Sequence, residues 1–256
     1  MVARTIQQLN KIQDIKAQVQ GIHPALERIY PVVMGKNNHL LIYDVNQAQE
    51  AYHFIKTVPS PMPIPVGTRA AFPLESYGQR ITCVVTPEIF NALDGYITIL
   101  HEFVHCFQYE TCEHRLKMSL DVAKRAQETG NSMWEIDYPF PYNGLDFIRP
   151  YSEFLDATQK KDVQKIQSTR KQLKTYLGIH DYEYMVWQEW KEGLARWVEN
   201  QVREHFGLAA STKGFNQPYS RVTFYAGGSA YIDYFASEDP RVVMEIEGLF
   251  KKMAAI

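Results

Sequence analysis

Two histidines four residues apart, His101 and His105, enclose Glu102 in the segment His101-Glu102-Phe103-Val104-His105. On an α-helix, residues i and i+4 lie one above the other, about 6 Å apart along the axis, so both imidazoles can reach one metal ion. Glu102 is rotated by about 100° from His101. That keeps it out of the coordination shell yet close enough to take a proton from a water at the ion. The chemistry predicted by this spacing is metal-assisted hydrolysis with Glu102 as general base.

The spacing has this meaning only on a helix. Phe90, Leu93, Ile97, Leu100, Val104 and Phe107 recur at three- and four-residue steps, the stripe of a half-buried helix. Neither Pro nor Gly interrupts Tyr96 to Cys112, so the His pair falls mid-helix. The alternative is a pair of core histidines satisfied by buried polar groups. A zinc ion held by two histidines needs a third protein ligand and leaves the fourth position to water or substrate. A second helix, with Trp187, Trp190, Leu194 and Trp197 as its apolar stripe, offers Glu192 followed directly by Gly193. Glycine inside a helix costs about 1 kcal/mol relative to alanine, so Gly193 predicts that another backbone or side chain passes too close for a Cβ. Glu192 is the expected third ligand. Glu189, one turn earlier, is its nearest rival, and His180 and Asp181 are more distant ones.

The pairing of HEFVH with the downstream EGLARWVE resembles the gluzincin clan of zinc metallopeptidases, in which a glutamate on a second helix completes the zinc site. Within the clan it is similar to the zinc aminopeptidase and leukotriene hydrolase branch, whose motif EGxAxYxE is matched by Glu192, Gly193, Ala195 and Glu199, with Trp197 at the aromatic position. The resemblance implies one Zn2+ per chain held by His101, His105 and Glu192, a thermolysin-like zincin core, and zinc-dependent hydrolysis of a peptide or protein substrate. Glu199 is then either an outer carboxylate orienting a zinc-bound histidine or a solvated surface group. Tyr225-Ala226-Gly227-Gly228 resembles the YxxG segment of the same branch and implies Tyr225 as oxyanion donor, with Tyr231 the next choice. The branch's Gly-x-Met-Glu-Asn segment has no counterpart between Pro61 and Pro87. A metal-binding protein without peptidase activity is therefore a competing reading.

Composition is that of a soluble globular chain: 256 residues, 45% hydrophobic and 22% charged. A net charge of −2 gives no electrostatic argument for nucleic acid or a membrane surface. The amino terminus has no apolar run of signal-peptide or membrane-span length. Three cysteines, Cys83, Cys106 and Cys112, suit a reducing compartment better than a disulfide framework. The expectation is a cytoplasmic protein, and no sequence signal bears on its oligomeric state.

The elements around these motifs predict a mostly helical α+β fold with a small sheet next to the HExxH helix and a helical carboxy-terminal lobe. It is read as a single metallopeptidase-like domain over residues 1–256, with possible lobes at 1–115 and 116–256, the second carrying the third ligand. Helices are expected over residues 3–20, in a shorter segment at 24–33, and over 47–56, 117–128, 152–177, 181–205 and 239–253. Strands are expected at HLLIYDV (39–45) and RITCVV (80–85), either of which can lend an edge to an extended substrate by β-augmentation or lie inside the sheet. Residues 59–65 read as an extended connector. The aromatic and proline-rich 138–144 is a loop packed on the core in preference to a cleft lining.

Overall fold

The structure is a computed structural model that describes residues 2–46 and 51–255. Packing divides the chain into two units, Met1–Thr111 with Val198–Ala209, and Cys112–Trp197 with Ala210–Ile256. The fold is α+β and mostly helical, with a single small mixed sheet among the described residues. No described helix is long and apolar enough to cross a membrane.

The first unit opens with α1 (Val2–Val19), whose buried positions Leu9, Ile12, Ile15 and Val19 follow the helical repeat. Its sheet comprises β1 (Val32–Lys36), β2 (His39–Asn46), β3 (Ala51–Pro59), β4 (Arg69–Leu74) and β5 (Arg80–Val85) in the order β3-β2-β1-β5-β4. The β1–β5 pair is parallel and the others are antiparallel. Side chains alternate between faces: Val33, Leu40, Ile42, Leu74 and Val84 form the core on one face. On the opposite face the register sets Val32 beside Tyr43 and Cys83. The helix α2 (Leu93–Gln108) packs on β4 and β5 and carries both motif histidines. It continues into a π turn, Tyr109–Glu113.

Several elements differ from the sequence reading. The helix expected over 47–56 falls partly outside the described residues, and its remainder lies in β3, where Tyr52 to Lys56 pair with β2. The segment expected to be helical at 24–33 is a single 3₁₀ turn, Pro24–Leu26, before β1. β2 and β5 are both interior strands, so neither HLLIYDV nor RITCVV offers a free edge; the edges are β3 and β4.

The second unit consists of helices and loops, with no strand among its described residues. Its elements are α3 (His114–Ser119), α4 (Asp121–Glu128), α5 (Trp134–Asp137), α6 (Leu145–Lys160), α7 (Val163–Tyr176), the larger part of α8 (Ile179–His205), α9 (Val222–Glu238) and α10 (Ile246–Ala254). Leu120, in extended conformation, separates α3 from α4, where one helix was expected. The long helix expected over 152–177 is broken at Lys161, which is left-handed at φ 54, and α7 restarts where Asp162 accepts from the Lys165 amide. The carboxy-terminal helix begins with a 3₁₀ turn, Pro240–Val243, and only then forms α10. The aromatic loop packs inward, with Phe140 4.8 Å from Phe147 and 5.1 Å from Phe224 between ring centroids.

Two features fix α8 in this unit. At its crossing with α9, a Cβ on Gly193 would stand 2.6 Å from the backbone of Gly228, and a Cβ on Gly228 would collide with the carbonyl of Glu189. The close passage expected at Gly193 is therefore backbone against backbone. Beside it, Lys191 joins Glu113 at 2.9 Å and Glu135 at 2.8 Å, and Lys117 joins the same two glutamates. Burial opposes ionisation of Glu135, but Lys191 and Lys117 outweigh it and hold its carboxyl at about 2, below the ordinary 4.5.

Gly228→Ala should destabilise the protein by about 1–3 kcal/mol through overpacking, while Gly178→Ala, where nothing lies within 4 Å of the added Cβ, should be close to neutral; thermal unfolding of the two variants compares them. Because the folded pKa of Glu135 is depressed, its stabilisation is complete above the unfolded value and is lost as pH falls from 4.5 toward about 2. The stability gap between wild type and Glu135→Gln should shrink across that window in urea titrations.

Candidate metal centre

In the first unit, α2 turns His101 and His105 to one side, with ring centroids 5.0 Å apart and the rings at 77°. Both are buried, and the apolar residues Ile97, Leu100, Phe103 and Val104 anchor the same helix in the core. His101 Nδ1 lies 3.0 Å from Glu199 Oε2. A carboxylate only accepts, so Nδ1 carries a hydrogen. His105 Nδ1 is likewise 2.9 Å from Gln108 Oε1, one turn later on the same helix, and donates to it. In both rings Nδ1 is thus the engaged nitrogen, and Nε2 is the one that could ligate a metal.

Glu199 is itself held in place. Arg203, one turn further along α8, lies 3.9 Å from it, donates to Asp94 at the start of α2 at 2.6 Å, and donates to the Ala209 carbonyl at 2.7 Å. Of the two readings of Glu199, the orienting carboxylate is the one its geometry matches. Glu102 is buried and lies near Cys83 of β5; burial, with Glu102 adding to it, pushes the Cys83 thiol well up. Cys106 is fully buried, and Cys112, in the π turn, is pushed up to about 11, chiefly by burial.

In the second unit, Glu192 lies two turns before Glu199 on α8 and therefore on the same side of that helix. Arg221, just before α9, donates from Nη1 to Glu192 Oε1 at 2.9 Å. Tyr225 lies within the first two turns of α9, with the guanidiniums of Arg221 and Arg196 at 5.4 and 5.5 Å from its ring. Gly227 and Gly228 lie inside α9 and serve packing: a Cβ on Gly227 would collide with the Tyr151 hydroxyl. Tyr231 is fully buried beside Arg170 and Phe154. The rivals to Glu192 are engaged elsewhere. Glu189 is fully buried, paired with Arg170 at 2.7 Å and accepting from Tyr151 at 2.9 Å. Asp181 accepts from the Tyr138 hydroxyl, and His180 lies beside Arg125.

His101 and His105 thus belong to the first unit and the expected third ligand, Glu192, to the second. Two imidazole nitrogens and a carboxylate oxygen are a donor set suited to zinc with one position left open. Sequence reasoning missed Gln108, Arg203 and Arg221. The first two were findable from one-turn spacing to His105 and Glu199, whereas no spacing links Arg221 to Glu192. No family model, curated protein or solved structure matches the chain, so the gluzincin resemblance is carried by the motif residues alone.

In metal-free protein His101 should populate the Nδ1–H tautomer almost alone, and Glu199→Ala should release it into a mixture. Ring ¹⁵N chemical shifts read this directly, and a mixed population in wild type would rule out the orienting role of Glu199.

Proposed function

We propose that this protein is a zinc-dependent peptidase of gluzincin type, with a thermolysin-like core, that holds one Zn2+ through His101, His105 and Glu192. The observation that carries this reading is the buried histidine pair of α2, each Nδ1 bonded to a side-chain oxygen. Glu192 is taken as the third ligand because its rivals Glu189, Asp181 and His180 are engaged elsewhere. A zinc ion bound there supplies Lewis acidity, bringing the pKa of water at the open position toward neutrality.

The remaining work falls to the chain's own groups. Glu102, next to His101, accepts the proton of the attacking water and passes it to the leaving amine. The Tyr225 hydroxyl donates a hydrogen bond to the oxyanion that forms at the scissile carbonyl, with its ring held by Arg221 and Arg196. Glu199 and Gln108 keep the histidines in the ligating tautomer. The substrate class is a peptide or protein amide. The same reading sets the protein in the cytoplasm.

Purified protein should contain close to one zinc per chain, and His101→Ala or His105→Ala should lose it. Glu102→Gln should keep zinc while hydrolysis of a peptide library falls by about a hundredfold or more. Tyr225→Phe should lower kcat by about ten- to a thousandfold with little change in KM. Full zinc occupancy in both histidine variants would sink the proposal, and an unchanged rate in Glu102→Gln would remove the assigned base.

A further inference from the structure

We infer that the cleft at the carboxyl ends of β1 and β5 binds a small amphiphilic anion, its carboxylate or phosphate head held by Arg4 and its apolar body laid over Met34, Leu41 and Ile64. The cleft lies wholly within the first unit and shares no residue with the metal centre proposed above.

The sheet topology opens this cleft. β1 and β5 are the one parallel pair among the described strands, and the chain leaves them in opposite directions. After Lys36 it turns back as β2, on the side of β1 away from β5. After Val85 it enters the 3₁₀ turn Pro87–Asn91 and then α2, which packs on β5 and β4. Parallel strands whose connections diverge at their carboxyl ends leave a crevice between them, a common ligand position in open sheets. Here the space measures about 820 Å³, within the range of clefts that hold small molecules.

The lining divides by chemistry. Met34 and Leu41 are directly paired across β1 and β2, so their side chains emerge on one face and form an apolar floor. Ile64 and Val66, from the connector between β3 and β4, form an apolar wall, with Ile64 resting over Gly35 in space that a Cβ there would take. Val66 is 84% exposed, apolar surface that a ligand's body would withdraw from water. The wall is fastened in place: the Gly67 amide donates to Thr86 Oγ1 at 2.9 Å and to Glu88 Oε1 at 2.5 Å. Those bonds also engage Glu88, the only carboxylate among the described lining residues.

The polar side belongs to α1. Arg4 and Gln8 are one turn apart and therefore share a face of that helix. With Lys36, the lining carries two cations to one anion. The helix itself gains nothing from Arg4, because a cation in a first turn opposes the helix dipole. A guanidinium meets a carboxylate or phosphate through two parallel hydrogen bonds, and both head groups are anions that this lining favours.

The test titrates the full chain with octanoate, octyl phosphate, octanol and inorganic phosphate by isothermal calorimetry, below micelle-forming concentrations. The methyl resonances of Met34 and Ile64 report where each probe binds. Octanoate, octyl phosphate or both should bind and shift these resonances, and the tighter of the two identifies the head group. Octanol and inorganic phosphate each lack half of the ligand and should bind at least about tenfold more weakly. Arg4→Gln should weaken the preferred anion by about tenfold or more, the range for losing a hydrogen bond between charged groups. Val66→Ser should weaken it by about threefold through lost apolar contact. Both positions are exposed, so each variant should unfold at the wild-type temperature. Octanol binding as tightly as the anions, Arg4→Gln binding like wild type, or unmoved Met34 and Ile64 methyls would each overturn the inference. Failure of both anions to bind up to their solubility limits overturns it as well. The zinc content of the same preparations bears on the metal centre alone, so the two readings fail separately.

Discussion

Where α8 meets α9, backbone touches backbone, and the second unit's part of the candidate centre follows from that contact. Residues 193 and 228 are both glycine because a Cβ on either would strike the opposing helix. Each glycine weakens its own helix by roughly 0.5–1 kcal/mol relative to alanine. The return is proximity: side chains that leave α9 and its cap reach α8 without spanning a layer of intervening residues. Arg221 can therefore bond Glu192, and Tyr225 can lie between two arginines, one from the cap of α9 and one from α8. Tyr151 extends the same logic, since the absence of a Cβ at Gly227 admits its hydroxyl to Glu189.

In the first unit the governing feature is what stands behind the histidines. An imidazole is a useful ligand only in the right tautomer, and that is fixed by the partner on its far nitrogen. His105 finds its partner locally in Gln108, while His101 draws on Glu199, which Arg203 braces from the next turn. Arg203 in turn reaches Asp94, so the start of α2 and the end of α8 are joined by a continuous run of polar contacts ending at a histidine ring.

The parts of this arrangement that sequence made legible are those encoded within one helix. His101, Glu102 and His105 declare themselves by spacing, as do Glu192 and Glu199 on α8, and Gly193 signalled a close neighbour because glycine is costly in a helix without one. β2 and β5 were legible as runs of β-branched and apolar residues. What stayed hidden depends on contacts remote in sequence or on residues acting against type. Arg221 meets Glu192 only because α9 folds back on α8. Lys161 breaks a helix from a left-handed conformation usually left to glycine. β3 lies at the sheet edge with mostly exposed or half-buried positions, so its burial does not impose a clean two-residue alternation that would separate it from a helix. Tyr225 and its two glycines belong to a helix in which both glycines serve close packing, which no local spacing announces.

Lys191, next to Glu192 in sequence, has its charge balanced before it can influence that residue. With Lys117 it faces Glu113 and Glu135, two cations against two anions, so the quartet is neutral as a set. Arg170 and Glu189 cancel in the same way, one turn before Glu192, in a pair wholly removed from solvent. Dissolved ions act on exposed charges over a Debye length of roughly 8–10 Å at ordinary ionic strength and reach buried pairs poorly. Added salt should thus loosen peripheral pairs such as Lys160 with Asp156 and Arg241 with Asp239, while the electrostatic setting of α8 around Glu192 stays nearly indifferent to the ionic strength of the surrounding medium.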